Sequence, residues 1–252
     1  IGVAVYYEWD GQILDDHNIK LTGDFGTITF DGHGGSSAFG AIDDKTPNAY
    51  EEAWDIIDTD GSGTSGSPTV INGISANNMF IYTTPDMGGA SLTASYINGG
   101  GSDAAPEGST SFAVKLSPEA MEGLTIGAGI SNNTTAESVD TDETTAYITY
   151  ATGGFTVGVQ SSDLDITTSG SDQESVAYGV TYAVNDDMSI GYSYHELETE
   201  STTDSDQKST GISASYTMGG MTLAGAMNDV DNMGGTDTKD FEGYEFTLSF
   251  AF

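Results

Sequence analysis

The sequence predicts an all-β fold, a transmembrane antiparallel up-and-down β-barrel, and three observations lead to this prediction. Apolar and polar residues alternate with a period of two in many segments, and no segment sustains the period of 3.6 that a helix requires. Glycine is abundant, with 34 residues, and proline is rare, with 5. Short and long connections alternate strictly along the chain, as expected when strands turn back near one membrane surface and in longer loops at the other. The prediction is therefore one barrel domain over residues 1–252.

The clearest alternation lies in residues 243–252. Its aromatic and apolar side chains share one parity: Tyr244, Phe246, Leu248, Phe250 and Phe252. Polar or small side chains occupy the other parity. A strand places the two sets on opposite faces, so this segment has one apolar and one polar face.

Thirteen further segments repeat this pattern, which gives 14 predicted strands. In chain order they are residues 1–9, 18–22, 27–31, 77–84, 90–97, 110–116, 124–131, 143–150, 155–161, 175–182, 188–195, 208–217, 221–228 and 243–252. The connections near residues 24, 87, 120, 152, 185 and 219 are short, and those near residues 14 (10–17), 55, 103, 137, 168, 201 and 235 are longer and polar. A Greek-key sandwich does not require this regularity.

The apolar parity is expected to face outward, towards lipid. Fourteen strands enclose a space too wide for side chains to fill, so a dry interior is not expected. Phe112, Val114 and Leu116 illustrate the outward set, whereas the inward parity is rich in Ser, Thr and Gly. No run of eighteen apolar residues occurs, which excludes a transmembrane helix but not a membrane barrel.

Charge and composition exclude several classes of function. The chain has 39 acidic residues against 5 basic ones, a formal net charge of -34, so it repels nucleic acid and attracts cations. It has no cysteine, which excludes disulfides and thiol chemistry. Neither G-x-S-x-G, Walker nor H-E-x-x-H patterns occur, so no enzyme is predicted.

Short segments resemble a known family. Residues 21–30 (LTGDFGTITF) have a strand, turn and strand, residues 37–40 (SAFG) precede an acidic run, and residues 78–85 and the terminal Phe252 add to the likeness. Together with the strand pattern, the chain resembles the general diffusion porins of Gram-negative outer membranes, particularly the alphaproteobacterial type. The resemblance implies a homotrimer in outer-membrane lipid, with multiple membrane crossings and 16 strands per barrel. A leading hairpin is therefore expected to be missing from this sequence, although 14 is also an even number and a smaller complete barrel stays open.

The resemblance also implies that residues 32–76 fold inward and constrict the channel. Candidate constriction residues are Asp43, Asp44, Lys45, Glu51, Glu52 and Asp55, and candidate residues of the lumen wall are Lys20, Asp31 and Lys115. Carboxylates in a narrow aqueous passage favour cations. The alternative is that these acids belong to a solvated loop face.

A calcium site is a further candidate. Asp58, Asp60 and Ser62 resemble the start of an oxygen-ligand calcium loop, although the twelfth position is Thr69 rather than Glu. His17, His33 and His195 show no metal-ligand spacing. No cofactor is required. Calcium at the acidic loops is a candidate ligand, either in this loop or through looser binding of divalent cations by the crowded acids.

The predicted function is passive diffusion of small hydrophilic solutes and ions, with a preference for cations. One alternative is a secreted acidic all-β adhesin or fibre module that binds calcium, whose apolar faces would be buried. Another is a membrane-barrel enzyme, which would need a nucleophile and a base at the rim.

Overall fold

A computed structural model describes residues 1–11, 13–55, 68–98, 108–134, 139–167, 172–200, 205–237 and 239–251. Strands make up most of this part of the chain. They are β1 (Gly2–Asp10), β2 (Ile13–Gly23), β3 (Gly26–His33), β4 (Gly35–Ser36), β5 (Ser75–Ala76), β6 (Met79–Thr83), β7 (Ala90–Asn98), β8 (Gly108–Leu116), β9 (Leu124–Thr134), β10 (Asp140–Thr152), β11 (Phe155–Ile166), β12 (Gln173–Asn185), β13 (Met188–Thr199), β14 (Gln207–Met218), β15 (Met221–Asp231) and β16 (Phe241–Phe250). A 3-10 helix at Met233–Gly235 lies between the last two strands. Among the described residues, no helix is both long and apolar enough to cross a membrane.

The strand order follows the chain order. Fourteen strands form one antiparallel sheet in the order β1-β2-β3-β6-β7-β8-β9-β10-β11-β12-β13-β14-β15-β16, and β4 pairs separately with β5. All 14 predicted strands are present, each paired with its neighbours along the chain. Sequential antiparallel pairing of this kind is the up-and-down topology that the sequence predicts.

Several predicted boundaries are wrong, and the errors have a common cause. Residues 10–17 were expected to be a polar connection, yet β2 begins at Ile13 and passes through a register shift between His17 and Asn18. The strands β11 and β13 end at Ile166 and Thr199, about five and four residues beyond their predicted ends. Alternation marks only the part of a strand with an apolar face, so polar strand ends and bulges carry no such signal. The pair β4 and β5, inside residues 32–76, was not predicted for the same reason.

The faces of the strands agree with the predicted parity. On β8, Phe112 and Val114 are 45% and 46% exposed, whereas Ser111 and Ala113 are 0% and 5% exposed. The same alternation of exposed and buried residues runs along β9, β12 and β15. Large apolar side chains are thus outside and small polar ones are covered, the reverse of a soluble sandwich.

The chain divides into two compact units. One comprises Ile1–Asp44, Ile71–Ala146 and Ser162–Ser169, and the other comprises Lys45–Val70, Tyr147–Ser161 and Gly170–Phe252. In the first unit Phe39, Met79 and Ile97 are buried, and in the second Leu197 and Val230 are buried. Of these residues, Ile97, Leu197 and Val230 lie on the same strand parity as the buried serines, and Phe39 belongs to the segment after β4.

Candidate functional site

In the first unit, the segment after β4 is held by serines of the sheet. The backbone N–H of Ala38 donates to Ser95 Oγ at 3.0 Å, and that of Phe39 donates to Ser111 Oγ at 3.3 Å. The two serine oxygens lie 2.6 Å apart. Each buried hydroxyl thus satisfies a backbone donor that would otherwise be left without water. The polar parity of β7 and β8 therefore serves as a docking surface for this segment.

In the second unit, the following residues are held in the same way. The N–H of Lys45 donates to Gln160 Oε1 at 2.8 Å, and the N–H of Ala49 donates to Ser213 Oγ at 3.1 Å. Asn228 Nδ2 donates to the carbonyl oxygen of Glu52 at 2.9 Å. These bonds join residues more than a hundred positions apart, so they fix the segment on the sheet rather than shape it locally.

Glycines let the backbone of the segment approach the strands closely. A Cβ added to Gly179 would lie 2.2 Å from the carbonyl oxygen of Pro47, and one added to Gly211 would lie 3.0 Å from the Cα of Ala53. Any larger residue at these positions would push the segment away. The many glycines on the inward parity are explained in part by this contact.

An aromatic contact adds to this packing. The rings of Trp54 and His195 have centroids 4.9 Å apart with an interplanar angle of 52°. His195 lies on β13 and is 3% exposed. An aromatic side chain from the segment is therefore seated on the covered face of the sheet.

Carboxylates gather where the segment meets β16. Tyr50 donates its hydroxyl hydrogen to Glu245, and the backbone N–H of Glu52 donates to Asp55 Oδ2 at 3.3 Å. Partial burial raises the pKa of Glu51 above its ordinary value, and the negative charge of Glu245 raises it further. This set of acids maintains a local negative potential that disfavours a further negative charge.

A second acidic set belongs to the first unit. The N–H of Gly73 donates to Asp43 Oδ2 at 2.6 Å, and Asn133 Nδ2 donates to Glu143 Oε2 at 3.2 Å. Glu143 is 7% exposed and interacts electrostatically with Asp43. Asp44, next in the chain, is half-buried. Of the predicted acids, Asp43 and Asp44 thus fall in one unit, and Glu51, Glu52 and Asp55 in the other.

Comparison with protein families decides the identity of the chain. A family model described as "Gram-negative porin" matches residues 7–234. This chain belongs to the Gram-negative porin family. No curated protein matches it by sequence. The match covers most of the barrel strands and all of residues 32–76.

Solved structures show the same fold. An anion-selective porin from Comamonas acidovorans is 17% identical, with 93% of this chain and 75% of that chain covered and a TM-score of 0.66. A mutant of the Rh. blastica porin is 16% identical, with 99% and 83% covered and a TM-score of 0.64. A trimer form of OmpT from Vibrio cholerae is 15% identical, with 94% and 80% covered and a TM-score of 0.63. The predicted family, the transmembrane β-barrel fold class and the outer-membrane location are thus confirmed.

Within the described part of the chain, Lys208 forms an ion pair with Glu196 at 3.1 Å, whereas the three lysines predicted for the pore form none. Lys20, Lys45 and Lys115 are exposed, and within the described ranges none of them forms an ion pair with a carboxylate. Lys20 interacts electrostatically with Asp31, which neighbours it on β3. The calcium candidates Asp58, Asp60 and Ser62 lie outside the described residues. Whether calcium binds there stays a prediction.

Sequence reasoning missed the wall residues that receive the segment. Gln160, His195 and Glu245 are separated from their partners by more than a hundred residues, and no local pattern links them. Their one signal is a bulky polar or charged side chain on an inward parity that is rich in Ser, Thr, Gly and Ala. These three bulky side chains of the sheet contact the segment after β4.

Proposed function

We propose that the outer-membrane diffusion channel formed by this porin prefers cations, and that residues 32–76 narrow it for small hydrophilic solutes. The observation that carries the proposal is the position of the acids. Glu51, Glu52 and Asp55 lie on the segment that docks against the polar parity of the sheet, and Glu245 of β16 interacts electrostatically with Glu51.

The physical reason is electrostatic focusing. A narrow aqueous passage between low-dielectric walls strengthens the potential of fixed charges, because little water is available to screen them. Carboxylates fixed there attract cations and repel anions. The protein as a whole adds to this field, with 39 acidic residues against 5 lysines and arginines.

The fold alone does not choose the sign of the preferred ion. The Comamonas acidovorans porin has the same fold and is anion-selective by its description. Selectivity must therefore come from side chains, and in this chain the predicted constriction has Lys45 as its only base among Asp43, Asp44, Glu51, Glu52 and Asp55.

The proposal includes a homotrimer and a passive mode of action. The trimer form of the Vibrio cholerae OmpT, which has the same fold, supports the assembly. The exposed apolar parity supports contact with outer-membrane lipid and disfavours a soluble adhesin. The proposal needs no catalytic step and no cofactor, and it leaves calcium at the acidic loops as an additional ligand.

Reversal potentials across a planar bilayer with a KCl gradient test the proposal. We expect the sign of the reversal potential to show that potassium is more permeant than chloride. We expect a lower ratio of cation to anion permeability when Glu51→Gln and Asp55→Asn are combined. Glu119→Gln is the matched control, because it removes a charge in the exposed turn between β8 and β9, outside the segment. Anion preference of the unmodified protein would refute the proposal.

A further inference from the structure

We infer that Asp15, Asp16 and His33 form a binding site for a divalent transition-metal cation of the zinc type, at the junction of β2 and β3. One nitrogen of His33 and one oxygen of each aspartate all lie within 4.8 Å of one another. All three residues belong to the first unit. This inference does not depend on ion selectivity, because the site is defined by its own ligand atoms.

The spacing of the ligand atoms suits a small cation. His33 Nδ1 lies 2.9 Å from Asp16 Oδ1 and 3.5 Å from Asp15 Oδ1. Zinc binds nitrogen and oxygen at about 2.0–2.1 Å, so neighbouring ligands of a tetrahedral ion are separated by about 3.3 Å. The distances of 2.9 and 3.5 Å fall on either side of that value. Small side-chain rotations would bring the three atoms onto one ion.

The backbone brings the two neighbouring aspartates to the same histidine. Consecutive residues of a regular strand point to opposite faces. The register of β2 against β1 shifts at these residues, because Asp15 and Asp16 lie between the pairs Trp9–Leu14 and Tyr7–His17 and together face the single residue Glu8. This β-bulge in β2 relaxes that rule. Gly34, with a φ of 77°, leaves room for the Asp16 carboxylate, since an added Cβ would lie 2.4 Å from its Oδ1.

The donor set selects the class of metal. An imidazole nitrogen with two carboxylates favours zinc, cobalt and related ions, whereas calcium and magnesium prefer sites made entirely of oxygen. The three side chains are 43–47% exposed, so water can complete the coordination and the ion can enter directly. Within the described ranges, the acids form no ion pair with a lysine, and His33 is their one basic partner.

Sequence spacing hides this site. His33 lies 17 residues from Asp16 and 18 from Asp15, a separation that matches no metal motif. Only the pairing of β2 with β3 makes the three residues neighbours. The isolated appearance of the histidine in the sequence is therefore misleading.

Zinc titration of the full, detergent-solubilised protein tests the inference. The titration is performed calorimetrically in excess magnesium, which saturates the many exposed carboxylates. We expect one saturable zinc site per chain, and at least about a 10-fold loss of affinity in His33→Asn and in Asp16→Asn. His17→Asn is the control. His17 lies on β2 with the two aspartates, and its Nδ1 hydrogen-bonds the backbone carbonyl oxygen of Asp15 rather than a carboxylate of the site.

The outcomes are distinct. A zinc site that is lost with His33 and kept with the His17 variant supports the inference, whatever the ion selectivity of the channel. Absence of saturable zinc binding above the magnesium background, or equal binding by His33→Asn and the unmodified chain, overturns it. Should the variants fail to fold, cobalt added to the unmodified protein still decides: a visible absorption band of nitrogen- and oxygen-bound cobalt supports the site, and its absence overturns it.

Discussion

The carbonyl oxygen of Pro47 occupies the space that a side chain on Gly179 would need, because an added Cβ would lie 2.2 Å from that oxygen. Pro47 belongs to the segment after β4, and Gly179 is a buried residue of β12. The segment can therefore pack against β12 only because residue 179 has no side chain. Hydrogen bonds to Gln160 and Ser213 then hold the segment in place.

Gly179→Ala is expected to lower the free energy of unfolding by about 1–3 kcal/mol, since overpacking forces the backbone to shift. Gly108→Ala is the matched control, because an added Cβ there would meet its nearest atom at 3.8 Å. Chemical unfolding in detergent, followed by the β-sheet circular dichroism signal, measures both variants. Equal stability of the two would show that Pro47 does not press on this strand.

Trp54 and His195 are expected to be energetically coupled. Aromatic pairs contribute about 0.5–1.5 kcal/mol beyond the burial of their surface. A double-mutant cycle of Trp54→Leu and His195→Leu, read as free energies of unfolding, isolates this term. Trp9→Leu replaces Trp54→Leu in the control cycle, because Trp9 is 62% exposed on β1. A coupling energy near zero in the first cycle would contradict the contact.

Ion selectivity is expected to depend on pH through Glu51. Its pKa is raised above the ordinary value of 4.5, first by burial and then by the charge of Glu245. As the pH falls, Glu51 therefore gains its proton in a window above 4.5, while ordinary exposed glutamates are still charged. Cation preference should decline in that window for the unmodified channel.

Removal of this carboxylate isolates its contribution. Glu51→Gln should have a lower cation preference at neutral pH and a smaller change across the window, measured as reversal potentials at a series of pH values. The folded state binds this proton more tightly than the unfolded state, so the contribution of Glu51 to stability decreases as the pH rises through the same window. Identical pH profiles of the two proteins would contradict the assignment.

A charged substitution on the exposed apolar face of the sheet is expected to destabilise the protein in a membrane. Ile212 lies midway along β14 and is 64% exposed, so a charge placed there would face hydrocarbon. Ile212→Arg should lower the free energy of unfolding in lipid bilayers by about 2–4 kcal/mol. Ile212→Leu is the control for the change of side-chain shape. A fully tolerated arginine would place this face in water.

The strands and their faces could be predicted from the sequence because alternation reports directly on which face is apolar. Phe112 and Ser111 show this on β8, where they differ in exposure as their parity predicts. The far ends of some strands could not be predicted, because the parity of the apolar residues changes there: on β11, Asp163 and Asp165 lie on the exposed parity, and Leu164 and Ile166 lie on the other. Bulged β2 was missed at residues 13–17 for the same reason.

The candidate site was only half predictable. The acids of residues 32–76 are visible as a local charge run, but their partners are not. Tyr50 meets Glu245, and Ala49 meets Ser213, across more than 160 residues of sequence. Only the tertiary fold brings such distant residues together, and the local pattern of a single sequence does not indicate which ones will meet.

Thiol labelling tests the central claim most directly, because the chain has no cysteine of its own. Asp55→Cys lies on the segment proposed to narrow the channel, and Ile212→Cys lies on the apolar face. A water-soluble, positively charged methanethiosulfonate reagent is added to single channels of each variant in a planar bilayer. The account predicts a stepwise loss of potassium conductance for Asp55→Cys and no change for Ile212→Cys. Blockage through Ile212→Cys, with Asp55→Cys unaffected, would contradict it.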